Sequence, residues 1–154
     1  MNRAGSTTGR RVRRRGQAMV EFALVAPLFF LLLLGIIEGG RFIFYYELLN
    51  HATREGARYA IVHGSNALGC KSGPMPDSRP PCDLTGELVK QRVRDSAFGA
   101  LGTGVVVPNP VWQPNNERGS TVTVSATYAY SVLIPLVPFP PITVDAESTL
   151  VVNN

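Results

Sequence analysis

The side chains best suited to bind a metal or attack a substrate are few in this 154-residue chain: two histidines, His51 and His63, and two cysteines, Cys70 and Cys82. A zinc site usually draws paired ligands from one turn, as in C-x-x-C spacing, so that a single local bend presents both. Here each pair is separated by 12 positions. Metal binding is the weaker reading, and a disulfide closing the proline-rich loop from Cys70 to Cys82 is the leading one. There is no G-x-S-x-G elbow, no phosphate loop and no carboxylate pair in a recognisable setting, and Asp145 and Glu147 read as the wet face of a strand. The expectation is a protein without a catalytic site, metal or cofactor.

One ionisable group stands in costly surroundings. Glu21 lies inside the largely apolar run Ala18 to Ile37, whose 20 residues match the roughly 30 Å hydrocarbon core of a bilayer at about 1.5 Å rise per residue. The stretch FALVAPLFFLLLLGII has no polar face, and a chain of this length could hardly surround such a helix with protein, so a membrane span is favoured over a buried core helix. A carboxylate inside a span costs a few kcal/mol unless it is paired, protonated or close to the interface; snorkelling to the cytosolic surface is the plain alternative to a specific partner.

Charge gives the span a direction. The formal net charge is +4, but Arg3, Arg10, Arg11, Arg13, Arg14 and Arg15 lie on a short arm without a single acid, and the rest of the chain is net negative. Arginines immediately before the span orient the amino end to the cytoplasm and everything after the span outward. With the positive charge confined to an unstructured arm instead of a folded surface, nucleic-acid binding is not expected. A cleaved secretory signal fits poorly, because its apolar region is typically about 7–15 residues and no A-x-A pattern follows Ile37 here. Both cysteines fall on the outward side, where oxidation is permitted.

Periodicity then supplies the elements. Phe42, Tyr45, Leu49, Ala52, Gly56, Tyr59 and His63 recur at steps of three or four, so one helix is expected from Gln17 to His63, about 70 Å long, with Gly64 as a stop and Pro27 and Gly39-Gly40 as weak points. A loop over 65–82 is followed by a second helix over 83–102, built on Leu84, Leu88, Val93, Ala97 and Leu101 and capped by Asp83 or Thr85. The last third alternates with period two, predicting strands at about 105–112, 120–132 and 142–152. The segment LIPLVPFPP, 133–141, is unusually apolar for a turn and could pack on the head, a partner or lipid. The expected architecture is α+β: a basic cytosolic leader (1–16), a transmembrane helix (17–40), its extracytoplasmic continuation (41–64) and a small head (65–154) with a short helix and a three-stranded antiparallel sheet.

The junction R-R-R-G-Q-A-M-V-E-F, Arg13 to Phe22, resembles a type IV prepilin processing site. The resemblance implies cleavage of the Gly16–Gln17 bond by a membrane prepilin peptidase, leaving Glu21 fifth in the processed chain and able to pair with the new amino group of a neighbouring subunit. A more specific resemblance covers Gly16 to Gly64: GQAMVEFALVAPLFFLLLLGIIEGGRFIF and LNHATREGARYAIVHG look like the TadE-like family of tight-adherence pilus assembly proteins, or pseudopilins.

Within that segment Gly35 and Gly39 form a small-x-x-x-small pair, and Ala52, Gly56 and Ala60 form a smooth helical ridge. The ridge suits either close packing on the chain's own sheet or contact with another subunit, and Glu55 and Arg58 can pair across one turn. The functional expectation is a single-pass protein of the cytoplasmic (inner) membrane that helps assemble or anchor tight-adherence (Flp-type) pili in a secretion machine. Its expected partners are the bilayer, the peptidase, other pilins and copies of itself, with incorporation into the pilus left open. The alternative is a signal-anchored envelope protein with a partner-binding head and no processing.

Overall fold

A computed structural model describes residues 8–75, 82–133 and 140–153. The chain divides into two compact units, Met1–Gly40 and Arg41–Asn154, and one helix, α1 (Thr8–Val62), supplies residues to both. It begins well before Gln17, so the arm expected to be unstructured is helical from Thr8, and it passes through Pro27 without interruption. The Leu- and Phe-rich run carries enough good helix formers to absorb the one hydrogen bond that proline deletes.

In the first unit nearly every apolar side chain is exposed: Met19, Phe22, Leu28, Phe30, Leu32 and Ile36 project on different sides of α1. This is the one helix among the described residues that is long and apolar enough to cross a membrane, Gly16–Val62, with a mean hydropathy of 2.6 over its most apolar window.

The second unit is an α+β head. After α1 come α2 (Glu87–Leu101), a short 3₁₀ turn (Gly102–Gly104), and strands β1 (Val105–Val106), β2 (Val111–Gln113), β3 (Thr121–Tyr130) and β4 (Ile142–Val151). β4 pairs antiparallel with β3 along its whole length, from Thr121↔Val151 to Tyr130↔Ile142. The other edge of β3 is shared by β1, at Val105↔Tyr128, and β2, at Val111↔Thr123. The single strand expected over 105–112 is therefore two pieces, because Pro108 and Pro110 offer no N–H to a ladder.

Alternation along β3 buries Val122, Val124, Ala126 and Tyr130, and these face the head portion of α1. The helix runs antiparallel to β3: the Phe42 ring meets that of Tyr130 at 5.4 Å, while the Gly56 backbone lies over Val124. The match is geometric, since the 14 residues from Phe42 to Gly56 rise about 21 Å and the six from Tyr130 back to Val124 about 20 Å. Val89, Val93, Ala97 and Leu101, four apart on α2, complete a core that includes Leu49, Ala52, Ala57 and Ala60.

α2 starts at Glu87, later than expected, and Leu84 is exposed. The expected cap does act: the Asp83 carboxylate accepts from the backbone N–H of Glu87 (2.6 Å) and Leu88 (3.0 Å), reaching across the intervening turn. Gly86 makes that turn at φ 70°, and a side chain there would also strike the Trp112 ring.

Candidate functional site

In the first unit, Gly16, Gln17, Val20, Glu21 and Leu24 line one shallow open concavity along α1. Steps of four, from Gly16 to Val20 and from Gln17 to Glu21, place each of these pairs on one side of the helix, and all four residues are solvent-exposed. The Gly16–Gln17 bond is inside the helix. At Gly35 and Gly39, apart from the helix's own adjoining backbone and chain neighbours, nothing among the described residues comes within 4 Å of where a Cβ would stand.

The second small-residue ridge has the opposite surroundings. Ala52, Gly56 and Ala60 are buried, and a Cβ on Gly56 would lie only 2.3 Å from Val93 Cγ2 and 3.4 Å from Val124 Cγ1. The ridge receives the chain's own α2 and β3. On the outward side of the same helix Arg58 donates to Glu55 at 3.1 Å. His51 is exposed, whereas His63 stacks on Tyr59 at 3.9 Å and donates through Nδ1 to the Tyr59 carbonyl at 2.8 Å.

Cys70 and Cys82 form a disulfide with Cα atoms 5.6 Å apart. It adjoins a polar knot that sequence reasoning did not find. Ser72 Oγ donates to the Asp83 carboxylate at 3.1 Å, and Asn116 Nδ2 donates to the Ser72 carbonyl at 2.9 Å. Backbone bonds Ser72 N to His63 O and Ser65 N to Asn116 O join the end of α1 to the β2–β3 connection. Ser72, Asp83 and Asn116 are all buried, and the knot fixes the loop by pairing the Ser72 hydroxyl, the Asp83 carboxylate and the Asn116 amide nitrogen, while Asn116 Oδ1 is buried without a partner among the described residues. The Asp83 cap was legible; the Ser72 and Asn116 partners are far away in sequence and had no local signal.

A second group missed by sequence reasoning gathers at the other end of β3. Tyr45 packs on Tyr128 and Tyr130 at 5.8 and 5.6 Å, and the Arg41 guanidinium lies 5.7 Å from both the Tyr45 and Tyr130 rings. The aromatic positions were visible as buried-face residues, but the arginine over them was not. Asp145 and Glu147 are exposed on β4, opposite in direction to buried Val144 and Ala146. Among the described residues no group of three or more His, Cys, Asp or Glu side chains is placed to hold a metal ion. Of the 133–141 segment, residues 134–139 lie outside the described residues, and Leu133 is exposed.

The family model of TadE-like protein matches residues 16–58. The match begins at the glycine of the junction and ends within the head portion of α1, covering the apolar run, Gly35, Gly39, Ala52 and Gly56. No curated protein and no solved structure matches this chain.

Proposed function

We propose that this chain is a TadE-like minor pilin, a pseudopilin, that serves as a structural component for assembling or anchoring tight-adherence (Flp-type) type IV pili in a secretion machine. In this reading α1 spans the cytoplasmic membrane once, with the arginines on the cytosolic side and the head outside. A prepilin peptidase removes the leader after Gly16. The protein then acts by packing against other pilins or assembly subunits, not by catalysis. One observation carries the proposal: a single helix, Gly16–Val62, unites an apolar segment exposed on every side with a folded head, and the TadE-like match lies within that helix.

The junction fits the role physically. A peptidase must open the helix locally to reach the Gly16–Gln17 bond, and glycine makes helix about 1 kcal/mol less favourable than alanine does. Gln17 and Glu21, four residues apart, lie on one side of α1, and in this reading the carboxylate, at fifth position in the processed chain, is available to a neighbouring subunit's amino group. A charge of this kind inside a bilayer gains most from such a partner.

Mass spectrometry of the membrane-extracted protein from cells holding the cognate peptidase tests the proposal. A chain beginning at Gln17, and one beginning at Met1 when Gly16 is replaced by leucine, is the expected result. An intact leader on the wild-type chain would favour a signal-anchored envelope protein instead.

A further inference from the structure

We propose that the proline-rich segment Ile134 to Pro141 of one copy docks in a tryptophan-lined groove on the head of a second copy, joining heads in a head-to-tail manner. The inference concerns the head alone and does not depend on the span or on cleavage at Gly16.

The groove lies where β2 meets the turn before α2. Pro74, Leu84, Pro110, Val111 and Trp112 give it apolar walls, and Thr85 and Asn109 give it polar edges. Its volume of about 390 Å³ falls in the roughly 300–1,000 Å³ range of ligand pockets, which suits a short segment and not a folded surface. Leu84 and Val111 are 60% and 53% exposed beside it.

The ring at its centre is set in place by the fold. Trp112 occupies the space where side chains at Gly73 and Gly86 would stand, with ring atoms 2.5 and 2.7 Å from the two Cβ positions. Both glycines have left-handed backbones, at φ 89° and 70°. The Cys70–Cys82 disulfide and the bond from Gly73 N to the Asp83 carbonyl at 2.8 Å tie the two glycine segments together. A ring already packed on two backbones loses little freedom on binding.

Hydrogen-bonding capacity selects the occupant. Trp112 Nε1 is buried without a partner among the described residues. Lys90 Nζ donates to Asn109 Oδ1 at 2.9 Å, which leaves the Asn109 amide nitrogen and the Thr85 hydroxyl as donors at the edge. Such a groove suits a backbone that mainly accepts. The sequence IPLVPFPP has prolines at 135, 138, 140 and 141, each with a carbonyl and no N–H, between apolar side chains. Proline-rich segments dock in aromatic-lined grooves because their backbones have little conformational entropy to lose.

Chain length makes the occupant a second copy. Val111 pairs with Thr123, about 23 Å along β3 from Tyr130. The connection over 131–141 leaves and returns at the paired residues Tyr130 and Ile142. Fully extended and doubled back, it reaches about 20 Å at its tip alone. A chain therefore cannot lay this segment in its own groove. With groove and segment toward opposite ends of β3, the contact is heterologous and can repeat from copy to copy.

Trp112 is the chain's one tryptophan, so its emission reports on the groove directly. The full chain, disulfide intact and in uncharged detergent micelles, is titrated with a peptide of residues 134–141 carrying a lysine pair for solubility. A saturable change in Trp112 emission is expected. Leu84→Asp and Val111→Asp, at exposed positions, should each weaken binding about tenfold or more with thermal unfolding of the head unchanged, because a carboxylate in an apolar groove resists losing water. Equal binding by these variants overturns the proposal, as does an equal response to a scrambled peptide, which reports partition into the micelle. A cross-linking arm keeps the groove otherwise intact: differently tagged copies, one Val111→Cys and one Val137→Cys, are mixed and oxidised. A mixed 111–137 product in excess of either like pair is expected, and its absence overturns the proposal.

Discussion

Gly56 and Gly39 are both helical glycines with a small residue four positions earlier, yet a methyl group added to each would meet opposite surroundings. At Gly56 it would run into Val93, on a helix where a β-branched side chain has little rotamer freedom. Gly56→Ala should lower head stability by up to about 2 kcal/mol, because an overpacking cost of about 1–3 kcal/mol is set against a helix-propensity gain of about 1. Adding Val93→Ala should recover part of the loss, and thermal unfolding of the single and double variants reads the coupling. Gly39→Ala meets open space and should leave head unfolding unchanged, while cross-linking in vesicles reports whether Gly35 and Gly39 admit a second helix. On α2, hydrogen bonds from Lys90 and then Arg94 hold the Glu87 carboxyl below its ordinary value. A depressed folded-state pKa stabilises above the usual carboxylate range, and the contribution disappears as pH falls through the folded value. Because Glu87 is 56% exposed, Glu87→Gln should cost under about 1 kcal/mol near neutral pH, less in high salt, and nothing once acid has protonated the wild type.

The elements follow from period and punctuation, with two boundaries moved by backbone chemistry. Leu84 and Leu88 continue the apolar spacing of α2 backwards, but the left-handed turn at Gly86 interrupts it, so α2 begins at Glu87. The first strand was legible as apolar sequence and is broken by prolines that cannot pair. The disulfide belongs to this scale because it closes a loop with a sequence separation of 12 between α1 and α2. Replacing Cys70 and Cys82 by serine should remove about 3 kcal/mol in the chain-entropy account of such a loop. Hydrogen exchange should show the loss first around Ser72, Asp83 and Asn116, whose buried bonds the bridge helps hold, while β3 and β4 stay protected longer.

For the molecule as a whole, the uncovered surfaces matter more than the filled core. The apolar segment is exposed on every side, and Glu21 stands exposed within it. Glu21→Gln keeps shape and removes charge; it should leave membrane insertion intact and sharply reduce pilus assembly, as read by shear-released pili and by cross-linking. Normal assembly would make Glu21 a tolerated residue near the cytosolic surface and leave the span in place.

The long apolar helix, the second helix and the alternating strands were legible from sequence because each depends on residue type and on a local period of 3.6 or 2. Which faces are covered was decided only in three dimensions. The ridge Ala52, Gly56 and Ala60 could have met another subunit, and it meets Val93 and Val124 because α2 and β3 reach it first. Asn116 finds the Ser72 carbonyl across 44 residues, and Arg41 finds rings on β3 that no local window includes. Such contacts depend on packing whole elements against one another, whose rises happen to match from Phe42 to Gly56 and from Tyr130 to Val124; local pattern names the apolar faces, and only the packed fold chooses their partners.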